Sequence, residues 1–495
     1  MPIPNTNENT RITDPKLPKD QLGSIQRSTQ VHVIGEGEIE GFATASREGH
    51  TKGTQNYLNA SLKDVYLNGT PILIPTANSL LPIPSDFNFT DVHFEERFGT
   101  ANQTPIGGIS DIETENTVGV PVTNSTPVSR SISNSNTNAV RVTIGFNSLQ
   151  KFEDNGDISG TSVDIRIQII QANGTTTTPI EDTITGKTPT AYFRDYRINI
   201  PAGTSFPITV RVIRDTADSN VTTLQNATVF TSFTTIIDKQ NAYPNTAHAA
   251  IRVDAEQFPQ TPRTMFKVRG LKIKIPSNAS VRPDGSLTFS GNFDGTLKSN
   301  KEYCNDPAWV LYDLLTNERY GFGDHITEDQ LDKFAFYSQS VYNNELVSDM
   351  QGGLEPRFSC NAIIQNQQDS FRLIGELCSV MRVQAYYQAG SITITGDRPT
   401  DPSYLFNLSN VTADGFSYTN TSKRIKYTVI NVQFFDNETQ EFDYETVEDA
   451  SLQAKFGFVV KNIRAFATTS RGMAHRLGKW FLYTQANEGE VVSFT

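Results

Sequence analysis

The chain of 495 residues is poor in cysteine and contains only Cys304, Cys360 and Cys378. They are odd in number and widely spaced, and no two form a C-x-x-C pair, which argues against a disulfide framework or a structural zinc site. The remaining expectation is three buried free thiols in a chain made in a reducing cytoplasm.

Long apolar runs are also missing. No stretch approaches the roughly 20 apolar residues that cross a bilayer, so no transmembrane helix is predicted. The first residues (MPIPNTNENTRITDPK) lack an apolar segment after a basic start, and no secretory signal is predicted.

Positive charge is in deficit. Lys and Arg number 42 against 54 Asp and Glu, giving a formal net charge of -12. A protein that holds nucleic acid on a basic surface must neutralise phosphates with cations, so this balance excludes that class. It leaves open a protein that lets DNA pass without holding it.

Motifs for chemistry are absent as well. The six histidines lie more than four residues apart, and none stands in H-E-x-x-H. The glycines of 35–41 (GEGEIEG) are misplaced for a phosphate loop and are interleaved with glutamates. The turn at 154–157 (DNGD) starts like a calcium loop, but Ile158 stands where an oxygen ligand belongs. No catalytic, cofactor-binding or metal-ligating residue is predicted, and the chain is predicted not to be an enzyme and to need no cofactor.

What the sequence does contain is a series of short strands. Residues 1–23 predict an extended arm. Alternation then predicts strands at Val31–Ile34, Glu38–Phe42 and Leu62–Leu67, with Ala43–Asn59 as an exposed loop. The Asn68–Gly69 pair predicts a hairpin turn.

Residues 76–135 show weak periodicity and many Pro, Asn and Ser residues. Val140–Phe146, Val163–Ile169 and Ile208–Ile213 then place apolar residues on one parity, which predicts a β-sandwich of about 90 residues. Further strands are predicted at Phe230–Ile237, Ala249–Val253 and Phe266–Ile275.

A small α+β domain is predicted at about 300–400. Asp306 is predicted to cap a first helix, and a capping box at 327–330 a second. A hairpin follows at Val383–Tyr387 and Ser391–Thr395. The helix faces predicted to be buried carry Ala308, Leu311, Tyr312 and Leu315 in the first, Leu331, Phe334, Ala335 and Val341 in the second, and Phe371, Ile374, Cys378 and Met381 in the third.

The last segment predicts strands at Tyr427–Phe435 and Phe442–Val447, then a helix from 468–470 to about Gln485. Glu490–Thr495 begins another strand, which suggests that the natural protein continues.

The closing helix carries a basic stripe at Arg471, His475 and Lys479, predicted either to face solvent or to contact an acidic surface of another subunit. Helical spacing places both Trp309 and Trp480 in the core, where replacement by Ala would cost about 3–5 kcal/mol.

Taken in order, these segments carry a resemblance. The chain resembles the phage tail-tip protein J family, the central tail hub and host-specificity protein of lambda-like siphophages, from about residue 24 onward. The most specific matching stretches are 305–323 (NDPAWVLYDLLTNERYGFG), 356–362 (PRFSCNA), 397–399 (DRP) and 470–483 (SRGMAHRLGKWFLY), with shorter ones at 28–30, 37–41, 62–71, 243–247, 268–270, 275–278 and 293–297. Glu38, Phe293, Met473 and the insertion at 43–59 depart from the family pattern and leave the phage group open.

The resemblance implies a mainly β, multi-domain fold with two tube-like β-barrel domains and two inserted domains per chain, assembled as a trimeric ring. The implied division is an N-terminal arm at 1–23, a first barrel at 24–75 plus 226–300, an inserted β-rich domain with the β-sandwich at 76–225, an inserted α+β domain at 301–400, and a second barrel with the closing helix at 401–495.

The function implied by the resemblance is structural, without catalysis. A homotrimer would close the tail tube at the distal end of the virion, anchor receptor-binding parts and form the channel for DNA ejection, after synthesis in the host cytoplasm. Implied partners are hexameric or trimeric tube proteins, the tape-measure protein, tail fibres, phage DNA in transit, and a host receptor reached through a C-terminal region outside this chain. Two alternatives stay open: a gene-transfer or prophage-derived particle, and a β-rich carbohydrate-binding or carbohydrate-degrading protein, favoured only by the 10% aromatic content and the β-rich pattern.

Overall fold

The computed structural model describes residues 27–107, 111–238, 241–258, 260–366, 369–388, 390–399, 401–402, 404–412, 414–420, 426–437, 439–487 and 490–495. The chain divides into two compact units, Met1–Arg269 and Gly270–Thr495. The expected mainly β, multi-domain fold is confirmed. The predicted arm at 1–23 lies outside the described residues.

The first unit has two short helices, α1 (Ala43–Arg47) and α2 (Gln55–Ser61). Its strands, in chain order, are β1 (Arg27–Glu36), β2 (Ile39–Phe42), β3 (Val65–Leu67), β4 (Thr70–Pro71), β5 (His93–Phe98), β6 (Asp111–Val122), β7 (Val128–Ile132), β8 (Ala139–Phe146), β9 (Gln150–Phe152), β10 (Ile158–Ser159), β11 (Thr161–Ile170), β12 (Thr176–Gly186), β13 (Tyr192–Asn199), β14 (Ile208–Arg214), β15 (Leu224–Gln225), β16 (Thr228–Asp238), β17 (Thr246–Asp254) and β18 (Thr264–Phe266).

A β-sandwich forms the middle of this unit. Its sheets have the strand orders β12-β11-β14-β7 and β13-β8-β16-β6. The alternating residues of β8 and β11, such as Val142 and Ile165, are buried in one shared core, so the predicted sandwich is confirmed. The sandwich is larger than expected because β6 and β7 come from the stretch with weak periodicity.

The prediction of an exposed loop at Ala43–Asn59 was wrong. Helices α1 and α2 occupy its two ends, and Tyr57, Leu58 and Ala60 of α2 are buried in a second core with Phe42. The Thr54 hydroxyl caps α2 by accepting a hydrogen bond from the Tyr57 N–H. Helices of five and seven residues are too short to show a helical period in the sequence.

The strand predicted at Leu62–Leu67 is shorter than expected. Leu62–Asp64 forms a 3₁₀ turn, in which the Asp64 carboxylate accepts hydrogen bonds from the N–H and hydroxyl of Thr44. The predicted hairpin is confirmed, since Asn68 and Gly69 join β3 to β4 with φ values of 51° and 83°.

The second unit contains helices α3 (Pro307–Thr316), α4 (Lys333–Asn343), α5 (Ser370–Val380), α6 (Ala450–Phe456) and α7 (Arg471–Asn487). The strands that follow β18 are β19 (Val268–Ile273), β20 (Ala279–Val281), β21 (Leu287–Phe289), β22 (Glu302–Tyr303), β23 (Leu346–Ser348), β24 (Leu354–Pro356), β25 (Val383–Gln388), β26 (Ser391–Gly396), β27 (Ser417–Asn420), β28 (Val429–Asp436), β29 (Glu441–Glu448), β30 (Val460–Arg464) and β31 (Glu490–Ser493).

Helices α3, α4 and α5 and the hairpin β25–β26 share one core. The predicted cap is confirmed, because the Asp306 carboxylate accepts a hydrogen bond from the Ala308 N–H at 2.9 Å. The predicted inner face of α3 is also confirmed by the burial of Ala308, Leu311, Tyr312 and Leu315.

The predicted inner face of α4 is confirmed only in part, since Leu331 just before the helix is buried and Ala335 packs against the core. The capping box lies on a 3₁₀ turn at Glu328–Gln330, and Asp332 caps the helix itself. Phe334 and Val341 are 58% and 40% exposed. The buried face also carries polar residues, including Gln339 and Ser340, which apolar spacing did not indicate.

Helix α5 shows a smaller error of the same kind. Phe371 is 86% exposed, whereas Cys378 and Met381 are buried as predicted. Leu373 and Leu377 complete the buried face.

The closing part of the unit is a sheet of order β29-β28-β30 with α7 packed on one face. Strand β28 pairs antiparallel with β29 and parallel with β30, and the connection to β30 contains α6. The predicted closing helix is confirmed, as is a strand at the end of the chain, where β31 pairs with β27. Strand β30 and helix α6 were not predicted.

All sheets of the described residues are open, with two to four strands. The tube-like barrels therefore stay a prediction. No helix in the described part of the chain has the length and apolar character to span a membrane.

Candidate functional site

Asp306, a buried aspartate at the start of α3, is a candidate for acid–base chemistry because burial raises its pKa. Its carboxylate accepts hydrogen bonds from the amides of Asn343 at 2.9 Å and Asn344 at 2.6 Å, and from the Ser340 hydroxyl. The Ser340 oxygen in turn accepts the indole N–H of Trp309 at 2.9 Å. These bonds join α3 to α4, so the cluster holds the core together and presents no acid to a substrate.

The three cysteines are free and buried. Burial raises the pKa of Cys360 to about 12 and that of Cys378 to about 11. Thiols with such pKa values carry almost no thiolate at neutral pH and are poor nucleophiles or metal ligands. Within the described ranges, no group of three or more His, Cys, Asp or Glu side chains is placed to hold a metal ion.

The basic stripe on α7 meets acids of its own chain. Arg471 contacts Asp443 at 2.6 Å and Glu445 at 3.3 Å, and His475 Nδ1 lies 2.8 Å from Glu445 Oε1. These acids are on the face of β29 that α7 covers. The third member, Lys479, is exposed. For Arg471 and His475 the acidic surface is therefore internal to the subunit.

Arg382 and Trp480 form the most distinctive side-chain pair of the second unit. Arg382 directly follows the α5 C-cap and has a φ of 55°, a conformation that few side chains other than glycine adopt without strain. Its guanidinium carbon lies 5.2 Å from the ring centroids of both Phe358 and Trp480. Trp480 is only partly buried and donates its indole N–H to Asp397 at 2.7 Å. Core placement is thus correct for Trp309, which is 0% exposed, and wrong for Trp480.

A pocket of about 630 Å³ opens beside this pair. Its walls come from the end of α5, the hairpin β25–β26, β30 and α7, and most of the lining is apolar. Sequence reasoning missed it, although the segments at 356–362, 397–399 and 470–483 each contribute a wall residue: Phe358, Asp397 and Trp480.

An exposed apolar ribbon is the second candidate interaction feature. We define it as residues 404–408, 416–420 and 490–494, which include β27 and β31. Its aromatic rings contact one another in the order Tyr404, Phe406, Phe494, Phe416 and Tyr418, with centroid distances of 4.5–6.4 Å. Leu405 and Leu408 are 76% and 78% exposed. None of the described ribbon residues belongs to the four buried cores.

Two regions of the chain match known protein families. Residues 112–239 match a family model described as the FNIII-A domain of Tip attachment protein J, and residues 371–495 match a phage tail protein model, Phage-tail_3. The first match coincides with the β-sandwich, which spans β6 to β16.

Two curated relatives match almost the whole chain. The chain is 34% identical to Tip attachment protein J of Escherichia phage SECphi27 over 472 residues, which cover 95% of this chain and 37% of that protein. It is 32% identical to Tip attachment protein J of Escherichia phage SECphi4 over 482 residues, covering 96% and 40%. The chain therefore spans about two-fifths of the length of these relatives.

Among solved structures, the infectious bursal disease virus VP2 subviral particle aligns with a TM-score of 0.17 at 11% identity, covering 50% of this chain and 58% of that one. A TM-score this low carries no argument about fold.

Proposed function

We propose that this protein is the structural hub of a siphophage tail tip. The proposal rests on its similarity to tip attachment protein J over nearly its whole length, which confirms the resemblance seen in its motifs. Three copies would form a ring that closes the tail tube, anchors receptor-binding parts and leaves a channel for DNA ejection. The observation that carries the proposal is the collinear match along 95% of the chain.

Two structural features support assembly into a ring. The sheets of the described residues are open, and open edges present unpaired N–H and C=O groups to another strand. The ribbon exposes aromatic and leucine side chains that none of the chain's own cores buries. A two-stranded sheet is marginally stable alone, so strand pairing with a second copy would stabilise it. We therefore place the ribbon at the contact between copies.

The proposed domain division follows the resemblance. The tube-like barrels would be 24–75 with 226–300, and 401–495, each closed by strands of neighbouring copies. The domains at 76–225 and 301–400 would be insertions on the outside of the ring. The FNIII-A match at 112–239 agrees with a separate sandwich domain that begins inside the first insertion and runs past residue 225 through β16.

The acidic composition suits a channel. With a net charge of -12, the ring would repel phosphate rather than retain it, so DNA could pass without binding. The proposed partners are tube proteins, the tape-measure protein and tail fibres, with a host receptor contacted through regions outside this chain. No step of this function needs catalysis.

Light scattering coupled to size-exclusion chromatography tests the assembly, with electron microscopy of the same peak. We expect a mass of three chains and ring-shaped particles with three-fold symmetry. The double variant Leu405→Asp/Leu408→Asp should shift the mass to one chain because it places charge in the ribbon. Phe371→Asp, at an exposed site on α5, is the control and should leave the trimer intact. A monomer at all concentrations, or a trimer unaffected by the ribbon variant, would contradict the proposal.

A further inference from the structure

We propose that the pocket beside Arg382 and Trp480 binds a peptide segment that carries a carboxylate next to an apolar or aromatic side chain. The site is separate from the ribbon and does not depend on the trimer.

The size and lining of the pocket fit such a ligand. Small-molecule and side-chain pockets typically have volumes of about 300–1,000 Å³, and this one has about 630 Å³. The apolar walls include Val383 and Ile463 from strands and Leu477 and Phe481 from α7. Burial of an apolar group against them would supply most of the binding free energy.

The charge of the pocket favours an anion. Its charged lining residues are Arg382, Arg464 and Asp397, a net charge of +1 in a chain of net charge -12. The indole N–H of Trp480 donates a hydrogen bond to one carboxylate oxygen of Asp397, so that oxygen faces the ring nitrogen. The guanidinium groups of Arg382 and Arg464 are left for a ligand, and that of Arg382 lies beside Trp480.

Arg382 differs in this respect from the two arginines nearby. Arg476 has Glu355 at 2.8 Å, and Arg357 has Glu345 at 2.7 Å. No ion pair of Arg382 occurs among the described residues. Its Nη2 donates to the Arg476 carbonyl at 2.9 Å, and its buried Nε has no hydrogen-bond partner in the part of the chain that the structure describes.

The position of Arg382 also carries an energetic cost. Burial lowers the pKa of Arg382 to about 10, an effect that the charge of nearby Asp397 partly offsets, and the guanidinium stays charged at neutral pH. Its left-handed backbone adds strain that a glycine would avoid. A ligand carboxylate would compensate the charge, and guanidinium–carboxylate pairs combine strong hydrogen bonds with defined geometry.

Ligand-observed NMR and calorimetry with 3-phenylpropionate test the chemistry, with neutral 3-phenylpropanamide and inorganic phosphate as comparison probes. We expect the carboxylate to bind at least tenfold more tightly than either comparison probe, since only it has both the charge and the apolar body. A short peptide with adjacent Phe and Glu residues should compete with it. Equal binding of carboxylate and amide, preferential binding of phosphate, lack of competition by the peptide, or no binding at about 10 mM would overturn the proposal.

Variants of the full chain locate the site. Arg382→Gln should weaken 3-phenylpropionate binding by about tenfold, and Arg382→Lys should keep part of the affinity because it keeps the charge. Arg372→Gln is the matched control, since Arg372 lies on α5 with its side chain 72% exposed and paired to Glu376. A thermal melt verifies the fold of each variant. Unchanged binding in folded Arg382→Gln, with or without unchanged binding in Arg382→Lys, would also refute the assignment.

Discussion

The surroundings of the two tryptophans differ in what the chain itself provides. Trp309 is fully buried on α3, lies 5.4 Å from the Tyr312 ring centroid and donates its N–H to Ser340, which is itself bonded to Asp306. Trp480 lies on α7 with one side on Arg382 and another facing the pocket, and its N–H acceptor Asp397 is exposed.

The comparison separates a side chain that is fully packed within the chain from one whose surroundings are left partly open. Around Trp309 the indole N–H, the Ser340 hydroxyl and the Asp306 carboxylate all find partners within the chain. Around Trp480 a guanidinium lacks an acidic partner in the described residues, and an apolar wall stays uncovered. The first environment is built for folding, and the second leaves room for a ligand.

Truncation of the two indoles should give the largest contrast. Trp309→Ala should lower the free energy of unfolding by about 3–5 kcal/mol, because it opens a large cavity and leaves Ser340 without its indole partner. Trp480→Ala should cost only about 1–2 kcal/mol, since part of the ring already faces the pocket. Urea unfolding followed by circular dichroism measures both. Equal losses would show that Trp480 is as deeply packed as Trp309.

The second-largest contrast in stability should be between Asp306 and Asp397, the aspartates that hydrogen-bond near the two tryptophans. Asp306→Ala leaves buried donors from Ser340, Asn343 and Asn344 without an acceptor and should cost about 3 kcal/mol. Asp397→Ala removes a partner that solvent can replace and should cost less than about 1 kcal/mol. The same urea titrations compare the pair. A large loss in Asp397→Ala would indicate that its contact with Trp480 is structural.

Thiol labelling provides a third contrast. The pKa values raised by burial, about 12 for Cys360 and about 11 for Cys378, reduce the thiolate fraction, so native-state alkylation should be on the order of a hundredfold or more slower than in urea. We expect Cys378 to react before Cys360, because burial raises its pKa less. Rates should rise about tenfold per pH unit between pH 8 and 9. Iodoacetamide labelling with peptide mass spectrometry reports each site, and the reverse order would contradict the difference in pKa.

The smallest effect should come from the ion pairs at the start of α7. Arg471 and Asp443 are each nearly half exposed, so Arg471→Ala should change stability by less than about 1 kcal/mol, and less still in high salt. Lys479→Ala, at the exposed end of the same stripe, is the control and should have no measurable effect. Melting temperatures at low and high salt provide the test. A loss above about 2 kcal/mol would place Arg471 among the structural residues with Trp309.

Local signals were predicted well from the sequence. The Asp306 cap, the alternation of β8 and β11 and the Asn68–Gly69 hairpin depend on residues a few positions apart, and each formed as expected. The inner face of α4 could not be predicted in this way, because its polar residues Ser340 and Asn343 find their buried partner in Asp306, more than 30 positions earlier in the chain.

The pocket shows the same limit more clearly. Arg382 and Trp480 lie about 100 positions apart, and no local pattern links a residue after one helix to the middle of another. A signal was nevertheless present, because three of the most specific motif segments supply Phe358, Asp397 and Trp480. Their separate positions in the sequence concealed that they meet around one arginine.

The ribbon joins strands that are distant along the chain, since Ser417 of β27 pairs with Ser493 of β31, about 75 positions later. Closing so long a loop costs entropy before any contact compensates it, and a two-stranded sheet returns few hydrogen bonds. The ribbon should therefore be the last part of its unit to form and the first to open. In the proposed ring, this order of folding would select complete copies. A copy whose intervening sheet and helix are still unfolded would present no ordered strand and could not join its neighbours.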